Sequence, residues 1–242
     1  METPLLLLHG FCESPQIFDS LNTSLSGKHQ VLCPCLPGHG ELPWNTHLKT
    51  MDDLAFWLRD YLDAAAVTRV TLIGHSLGGY IAAAFAAHFP DRLAGLGMLH
   101  STALADLPER QLNRNKALAF IEQNGHTLFL QTFVQSLFYN PEAAWLAELT
   151  AITQQVDPPA ISALLGIMRD RPERTLALQT LQIPVMYIIG AHDSIVSPER
   201  AREEMAKIAL ALLHRIPDAS HMGMYETPHK VRAAIESFLE LC

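Results

Sequence analysis

Short apolar runs alternate along this chain with longer segments in which apolar and polar residues recur at helical spacing. Apolar runs bounded by glycine, proline or acidic residues are typical of buried strands. The predicted strands lie near residues 4–9, 29–34, 69–74, 93–99, 183–190 and 209–216. The predicted helices lie near residues 15–25, 52–65, 77–88, 198–207 and 227–241. This alternation predicts an α/β fold, with an open, mostly parallel sheet of about six strands and helices on both of its faces.

The alternation stops between residues 102 and 178, where helical patterns follow one another without an intervening strand. Glycine, asparagine and a Pro-Pro pair separate these patterns. The predicted helices of this segment cover residues 107–123, 127–138, 141–154 and 158–169. The chain has 242 residues and no low-complexity linker, so we expect one domain over residues 1–242 with a helical insertion at about 102–178.

The pentapeptide Gly-His-Ser-Leu-Gly at residues 74–78 carries the strongest chemical signal in the sequence. A β-branched run precedes it and an alanine-rich helix former follows it, which predicts that Ser76 stands on a sharp turn between a strand and a helix. Glycines two residues to either side leave room for a strained backbone at the serine. Ser76 is therefore a candidate nucleophile, and a plain turn with a helix-capping serine is the alternative.

A serine hydroxyl needs a base to take its proton and a carboxylate to hold that base. Two loops near the C-terminal end of the chain supply these groups. Asp193 follows the fifth predicted strand, and His221 follows the sixth. Both lie where parallel strands end, which is the edge of an open α/β sheet that binds ligands.

On these motifs the chain resembles enzymes of the α/β-hydrolase fold over essentially its whole length. Two further segments carry the resemblance, His-Gly-Phe at residues 9–11 and Pro-Gly-His-Gly at residues 37–40, which follow the first and second predicted strands. The resemblance implies that Ser76 is the nucleophile, His221 the base, and Asp193 the acid that orients the base.

The resemblance also implies an oxyanion hole formed by the backbone N–H groups of Phe11 and Leu77. Two such donors would stabilise the negative charge that develops in the transition state. The helical insertion corresponds to the family's cap, which covers the active site. Because the first predicted strand begins near Met1, we expect the N-terminal antiparallel hairpin usual in this family to be missing.

Other residues of the right chemical type are weighed against these assignments. Some relatives place the acid after an earlier strand, so Asp106 is the alternative to Asp193. Asp218 lies nearer to His221 in the sequence, but it is predicted to be a turn residue. The 12 histidines show no spacing typical of metal ligands, and we expect neither a metal nor a cofactor.

Composition narrows the environment in which the chain is expected to work. The net charge of −8 argues against binding to nucleic acid or anionic membrane surfaces. The four cysteines lack zinc-site or Cys-x-x-Cys spacing, which predicts ordinary thiols in a reducing compartment. No stretch approaches the roughly 20 apolar residues that a membrane span needs, and no signal peptide is indicated. We therefore expect a cytoplasmic protein that is a monomer rather than a homodimer, because loops commonly cover exposed sheet edges.

The predicted cap contains large apolar residues and charges of both signs. Its basic residues are outnumbered by its acidic ones, giving a net charge of −2, so we expect them on a solvated outer face rather than in a polyanion pocket. These basic residues are Arg110, Arg114, Lys116, Arg169, Arg171 and Arg174. About one in three of the large apolar residues is expected to face the substrate. The large apolar residues are Phe129, Phe133, Phe138, Tyr139, Trp145 and Met168.

The expected function is that of a serine hydrolase that cleaves small to medium carboxylic esters or thioesters through an acyl-enzyme on Ser76. The fold hosts many reactions, so carbon–carbon bond hydrolases, lyases and cofactor-free haloperoxidase-like enzymes are alternatives. One lyase branch, the menaquinone-pathway cyclohexadiene carboxylate synthases, carries an arginine directly after the Gly-Gly pair, where this chain has Tyr80. A non-catalytic protein that binds a small apolar ligand is the alternative from another class.

Overall fold

A computed structural model describes residues 3–242 of the chain, and it contains one sheet of six parallel strands. The strands are β1 (Leu5–Leu8), β2 (Val31–Leu32), β3 (Val70–His75), β4 (Leu93–Leu99), β5 (Val185–Gly190) and β6 (Ala211–Ile216). They lie side by side in the order β2-β1-β3-β4-β5-β6. The predicted open parallel sheet is therefore confirmed, and each predicted strand has an observed counterpart.

Helices connect the strands and cover both faces of the sheet. The helices are α1 (Asp19–Leu25), α2 (Met51–Ala64), α3 (Leu77–His88), α4 (Pro108–Asn124), α5 (His126–Ser136), α6 (Ala143–Thr153), α7 (Pro158–Asp170), α8 (Thr175–Gln179), α9 (Pro198–Met205), α10 (Gly223–Glu226) and α11 (Pro228–Leu239). The short helices α8 and α10 were not predicted, because four or five residues are too few to show a helical period. Helices α4–α8 lie between β4 and β5, in the segment predicted to form the insertion.

Local capping chemistry sets the start of two helices. At α2 the Thr50 side chain accepts a hydrogen bond from the Asp53 N–H at 3.1 Å, and the Asp53 carboxylate accepts one from the Thr50 N–H at 2.8 Å. This reciprocal pair satisfies two backbone donors that the helix start leaves open. At α9 the Ser197 hydroxyl accepts from the Arg200 N–H, and Pro198 occupies the first helical position. Proline suits that position because it has no N–H to satisfy.

The hydrophobic core consists of two layers, one on each face of the sheet. Alternate residues of β1 enter different layers, since successive side chains of a strand point to opposite faces. Leu6 and Leu8 pack with residues of α2 and α3, whereas Leu5 and Leu7 pack with residues of α1 and α11. A strand buried on both faces needs apolar residues at every position, which explains the uninterrupted leucine run in β1.

The edge of the sheet beside β1 is formed by β2, which has only two residues. Within residues 3–242, β1 is the first strand, and its neighbours β2 and β3 are both parallel to it. Such a short edge strand offers few unpaired backbone groups to another molecule. The expected monomer stays a prediction. None of the helices in residues 3–242 combines the length and the apolar character required to cross a bilayer.

The strand order reverses at β1, which lies between β2 and β3. The chain leaves β1 toward β2 on one side and continues from β3 toward β6 on the other. A crevice forms at such a reversal, outside the carboxyl ends of the strands, and ligands bind there in open α/β sheets. Phe11 follows β1 at this point and Ser76 follows β3, so the topology alone brings these two predicted site residues together.

Candidate active site

Ser76 stands on a strained turn between β3 and α3. Its φ is 49° and its ψ is −113°, a combination that residues other than glycine rarely adopt. Two glycines permit the tight turn. A Cβ added to Gly74 would lie 2.3 Å from the Gly78 carbonyl oxygen, and one added to Gly78 would lie 2.4 Å from the Leu8 carbonyl oxygen. Backbone strain of this kind costs about 1–3 kcal/mol and persists only where the surroundings enforce it.

Hydrogen bonds from three directions hold the Ser76 backbone in this conformation. The Ser76 N–H donates to the Leu99 carbonyl at 3.0 Å. The Ser76 carbonyl accepts from the Ser101 hydroxyl at 2.7 Å and from the Gly79 N–H at 3.0 Å. Because the neighbouring strand and the first turn of α3 both fix the backbone, the serine side chain is held at the carboxyl end of the sheet.

Asp193 and His221 are hydrogen-bonded to each other at the same carboxyl end of the sheet. His221 Nδ1 lies 2.9 Å from Asp193 Oδ2, and both side chains are buried. A carboxylate can only accept, so Nδ1 is the donor, and in the neutral ring Nε2 keeps its lone pair. The other carboxylate oxygen accepts from the Ile195 and Val196 N–H groups, each at 2.8 Å. Burial would raise the pKa of Asp193, but His221 and His100 outweigh it and hold this pKa well below its usual range.

Ser76, His221 and Phe11 line one cavity of about 220 Å³. Leu77 is the first residue of α3, so its N–H has no partner within the helix and lies beside the serine. The structure therefore places all five predicted site residues at one end of the sheet, and their chemical roles stay predictions. Apolar side chains of the insertion form much of the wall, among them Phe129, Phe133, Leu165 and Met168.

The alternative acids are engaged elsewhere. Asp106 pairs with Arg114 Nε at 2.5 Å and with an Arg171 guanidinium nitrogen at 2.6 Å. These arginines outweigh the effect of burial and lower the pKa of Asp106. Asp218 is exposed and pairs with Lys230 Nζ at 2.6 Å. Of the three acids considered from the sequence, Asp193 is the one that the structure joins to the imidazole of His221.

The expectation that the basic residues of the insertion form a solvated outer face is wrong for three of them. Arg110 and Arg114 line the cavity that contains Ser76, and Arg171 is buried, with its guanidinium 3.8 Å from the centre of the Tyr80 ring. Lys116 is exposed, as expected. The net charge of the segment led to the wrong prediction, because a net charge does not indicate which face of a helix carries the arginines.

The large apolar residues of the insertion divide between the cavity and packing contacts. Phe129, Phe133 and Met168 line the cavity, a larger share than expected. Phe138 stacks on Trp145 with ring centroids 5.9 Å apart, away from that lining. Tyr139 stacks on His192 at 3.6 Å.

A buried pair formed by Glu13 and His75 was not anticipated from the sequence. His75 Nδ1 lies 2.8 Å from Glu13 Oε2, and His75 Nε2 lies 2.9 Å from the His221 carbonyl oxygen. Glu13 Oε2 also accepts from the Gly10 N–H at 2.5 Å. Burial would lower the pKa of His75, but Glu13 outweighs it and raises this pKa. The pair ties together the loop after β1, the serine turn and the His221 loop. Residues 13 and 75 are too far apart in sequence for any local pattern to reveal it.

His100 adds a second imidazole to the Asp193 carboxylate. His100 Nδ1 lies 3.4 Å from Asp193 Oδ2, and the ligand-type atoms of His100, Asp193 and His221 all lie within 4.8 Å of one another. These three side chains are the ones in residues 3–242 whose geometry could hold a metal ion. Hydrogen bonds already join Asp193 to His221 and to two backbone amides, which favours an orienting role for the carboxylate over metal binding. The expected absence of a metal stays a prediction.

Two buried histidines predict that the protein loses stability in mild acid. Burial lowers the pKa of His39 and of His100 to about 4 in each case. In an unfolded chain the pKa of histidine is about 6.5. Between these values the unfolded state binds protons that the folded state does not, so the free energy of unfolding falls as pH falls from 6.5 toward 4. Between about pH 6.5 and pH 4 the free energy of unfolding is expected to fall by roughly 3 kcal/mol for each histidine. Urea unfolding curves recorded between about pH 4 and pH 7.5 measure this loss.

The substitution His39→Gln tests the source of this acid sensitivity. His39 Nε2 accepts from the Cys12 N–H at 3.2 Å, so the folded state needs the neutral ring. The variant is expected to show a flatter dependence of the urea midpoint on pH, whatever its stability at pH 7.5. His47→Gln removes an exposed histidine and is expected to leave the dependence unchanged. Equal slopes in the wild type and in His39→Gln would contradict the prediction.

A protein-family model described as the alpha/beta hydrolase family matches residues 5–234 of the chain. A solved structure of a thermophilic esterase from Thermogutta terrifontis, with malate bound, superposes with a TM-score of 0.92. The two sequences are 27% identical, and the match covers 99% of this chain and 90% of that one.

Curated proteins give matches of similar strength. The chain is 29% identical to a pimeloyl-[acyl-carrier protein] methyl ester esterase of Aromatoleum aromaticum, over 96% of each protein. It is 27% identical to a 2-succinyl-6-hydroxy-2,4-cyclohexadiene-1-carboxylate synthase of an Enterobacter species, over 98% of this chain and 92% of that protein. It is 26% identical to a dihydrolipoyllysine-residue acetyltransferase component of an acetoin cleaving system of Pseudomonas putida, and it spans only 63% of that protein's length.

Proposed function

The chain belongs to the alpha/beta hydrolase family, and from this premise we propose that it is a serine hydrolase of small to medium carboxylic esters or thioesters. One observation carries the proposal. Ser76 and His221 line the same small cavity, and the buried carboxylate of Asp193 holds the imidazole with Nε2 free to accept a proton. A nucleophile, a base and a group that orients the base are the parts that acyl transfer requires.

The proposed reaction begins when His221 Nε2 takes the proton of the Ser76 hydroxyl. The serine oxygen attacks the ester carbonyl, and the oxyanion that forms accepts hydrogen bonds from the Phe11 and Leu77 N–H groups. His221 then gives its proton to the leaving alcohol or thiol, and the acyl group stays on Ser76. Water, activated by the same imidazole, releases the carboxylic acid and restores the serine.

Two similar proteins support ester cleavage within this family. The relative from Aromatoleum aromaticum is a methyl ester esterase, and the Thermogutta terrifontis structure is that of an esterase. The cavity that contains Ser76 has a volume of about 220 Å³, below the roughly 300–1,000 Å³ typical of ligand pockets, which supports a small substrate. Cleavage of short esters is therefore the function that the chain's own geometry supports best.

A panel of p-nitrophenyl esters tests the proposal. We expect kcat/KM for the acetate and butyrate to exceed that for the palmitate by at least about tenfold, because the walls formed by Phe129, Phe133 and Met168 limit the acyl chain. A folded sample that hydrolyses none of these activated esters would contradict the proposal. If Ser76 also failed to react with a covalent serine reagent, the result would favour a protein that only binds a small ligand.

A carbon–carbon lyase is the second candidate. The similarity to the Enterobacter synthase supports it, and so does the position of Arg171. The Arg171 guanidinium lies over Tyr80, the residue that follows the Gly-Gly pair, so a positive charge is present there although the sequence carries none at that position. A folded protein that is inactive on every ester of the panel but reacts covalently at Ser76 would favour this candidate over ester hydrolysis.

A further inference from the structure

One side of α4 faces the cavity that contains Ser76. The residues on this side are spaced by three or four positions, which places them one above another on a helix. They are Arg110, Asn113, Arg114 and Ala117. Two of the four are arginines, although the opposite wall is formed largely by apolar side chains such as Phe129 and Phe133.

The acid nearest to these arginines is already paired. Asp106 is buried between Arg114 and Arg171, which contact different oxygens of its carboxylate at 2.5 and 2.6 Å. Arg171 also donates to the Met168 and Leu104 carbonyls at 2.7 and 2.9 Å. This group of three charged side chains carries one positive charge in excess, and each oxygen of its one carboxylate already accepts a hydrogen bond from an arginine.

Arg110 adds a second positive charge. It also lines an adjoining cavity of about 460 Å³ together with the acids Asp106, Glu109, Asp193 and Glu199, but none of these forms an ion pair with it. Its guanidinium donates one hydrogen bond to the Ile195 carbonyl, which holds it at the cavity wall. Among residues 3–242, no carboxylate lies within ion-pair distance of Arg110. A guanidinium has five N–H donors, so most of its donors are available to a ligand. The Asn113 amide lies one helical turn away on the same wall.

A cationic group beside an apolar wall is stabilised most by an anion that replaces its lost hydration. The guanidinium of Arg110 matches the two oxygens and the single charge of a carboxylate, and Arg110 is the arginine of this wall that has no carboxylate partner of its own in the described part of the chain. A phosphate dianion carries about twice this charge and would need a second free arginine. Arg114 does not supply one, because its Nε is bound to Asp106.

We propose that the substrate is an ester that also carries a free carboxylate, such as the half-ester of a short dicarboxylic acid, and that Arg110 and Asn113 bind this carboxylate while the ester group lies at Ser76. This inference rests on the proposed function, since it names the substrate class of the same site. The proposal concerns a single carboxylate, and the sequence-based expectation that the cap has no polyanion pocket stays a prediction.

Two methyl esters of equal chain length test the preference. Methyl hydrogen glutarate ends in a carboxylate, and methyl pentanoate ends in a methyl group at the same position. We expect the wild type to favour the glutarate half-ester in kcat/KM by at least about tenfold, because its carboxylate can form charge-assisted hydrogen bonds with Arg110. Methyl 4-carbamoylbutanoate, which has a neutral amide at this end, is expected to react no better than methyl pentanoate.

The substitution Arg110→Gln should reduce this ratio of kcat/KM values at least about tenfold, mainly through a higher KM for the half-ester. The ratio compares two substrates within one enzyme sample, so partial unfolding or damage to the reacting groups does not change it. Lys116→Gln removes the same charge from an exposed position of α4 and is expected to leave the ratio unchanged. A ratio near one in the wild type, or equal ratios in the two variants, would overturn the proposal.

Binding of glutarate by calorimetry separates the inference from the proposed function. We expect glutarate to bind the Ser76→Ala variant, and the double variant Ser76→Ala/Arg110→Gln to bind at least about tenfold more weakly. Glutarate binding that depends on Arg110, in a chain that cleaves no ester, would refute the proposed function but not the carboxylate site. Ester cleavage without a preference for the half-ester would refute the carboxylate site but not the proposed function. Inorganic phosphate that binds more tightly than glutarate in the same assay would overturn the choice of carboxylate.

Discussion

The substitution Asp193→Asn is expected to lower kcat for p-nitrophenyl acetate by on the order of 10³–10⁴-fold. Asparagine fits the same space, but its amide group can donate a hydrogen bond to His221 Nδ1, which the carboxylate cannot. The imidazole would then carry its proton on Nε2, the nitrogen that must accept the serine proton. Because Asp193 is buried and hydrogen-bonded to the Ile195 and Val196 amides, the variant should keep the loop conformation.

Two matched variants separate this effect from a general effect of removing an acid. Asp218→Asn removes an exposed carboxylate near His221 in the sequence, and it is expected to leave kcat unchanged. Asp106→Asn removes the alternative acid, which contacts Arg114 and Arg171 instead of His221. We expect its effect on kcat to be at least about a hundredfold smaller than that of Asp193→Asn. The reverse order of the two effects would assign the acid to Asp106.

The substitution Ser76→Ala is expected to abolish nearly all turnover, with a loss on the order of 10⁶-fold in kcat if the hydroxyl is the nucleophile. Alanine keeps the Cβ and must adopt the same positive φ, so the backbone strain is unchanged. The free energy of unfolding should therefore change by less than about 0.5 kcal/mol, which thermal unfolding can measure. Ser26→Ala, at an exposed serine, is the matched control and should retain full activity. Turnover above about one per cent in Ser76→Ala would contradict the nucleophile assignment.

The sequence alone predicted the sheet and the serine turn because both depend on local patterns. An apolar run between breakers marks each strand, and the glycines at positions 74 and 78 mark the turn. The predicted strand length was less accurate at the edge of the sheet. The second strand was predicted near residues 29–34 but consists of Val31–Leu32, since an edge strand has one neighbour and its hydrogen bonds end where that neighbour turns away.

Contacts between distant segments could not be predicted from those patterns. Glu13 and His75 are a loop residue and a strand residue, and neither carries a signal that names the other. The helix α4 shows why the arginines were misplaced. Its apolar residues do not form a clear stripe, so no sequence pattern indicates which side of the helix faces the cavity. The carboxylate site proposed for Arg110 thus depends on tertiary structure.

Covalent labelling of the folded wild-type protein with a fluorophosphonate tests directly whether Ser76 is an activated nucleophile, because the phosphoryl oxygen of the reagent mimics the oxyanion of acyl transfer. We expect one adduct per chain, which peptide mass spectrometry should assign to the segment that contains Ser76. The Ser76→Ala variant should give no adduct under the same conditions. Failure of the folded wild type to react, or an adduct on any other serine, would contradict the claim that Ser76 is an activated nucleophile.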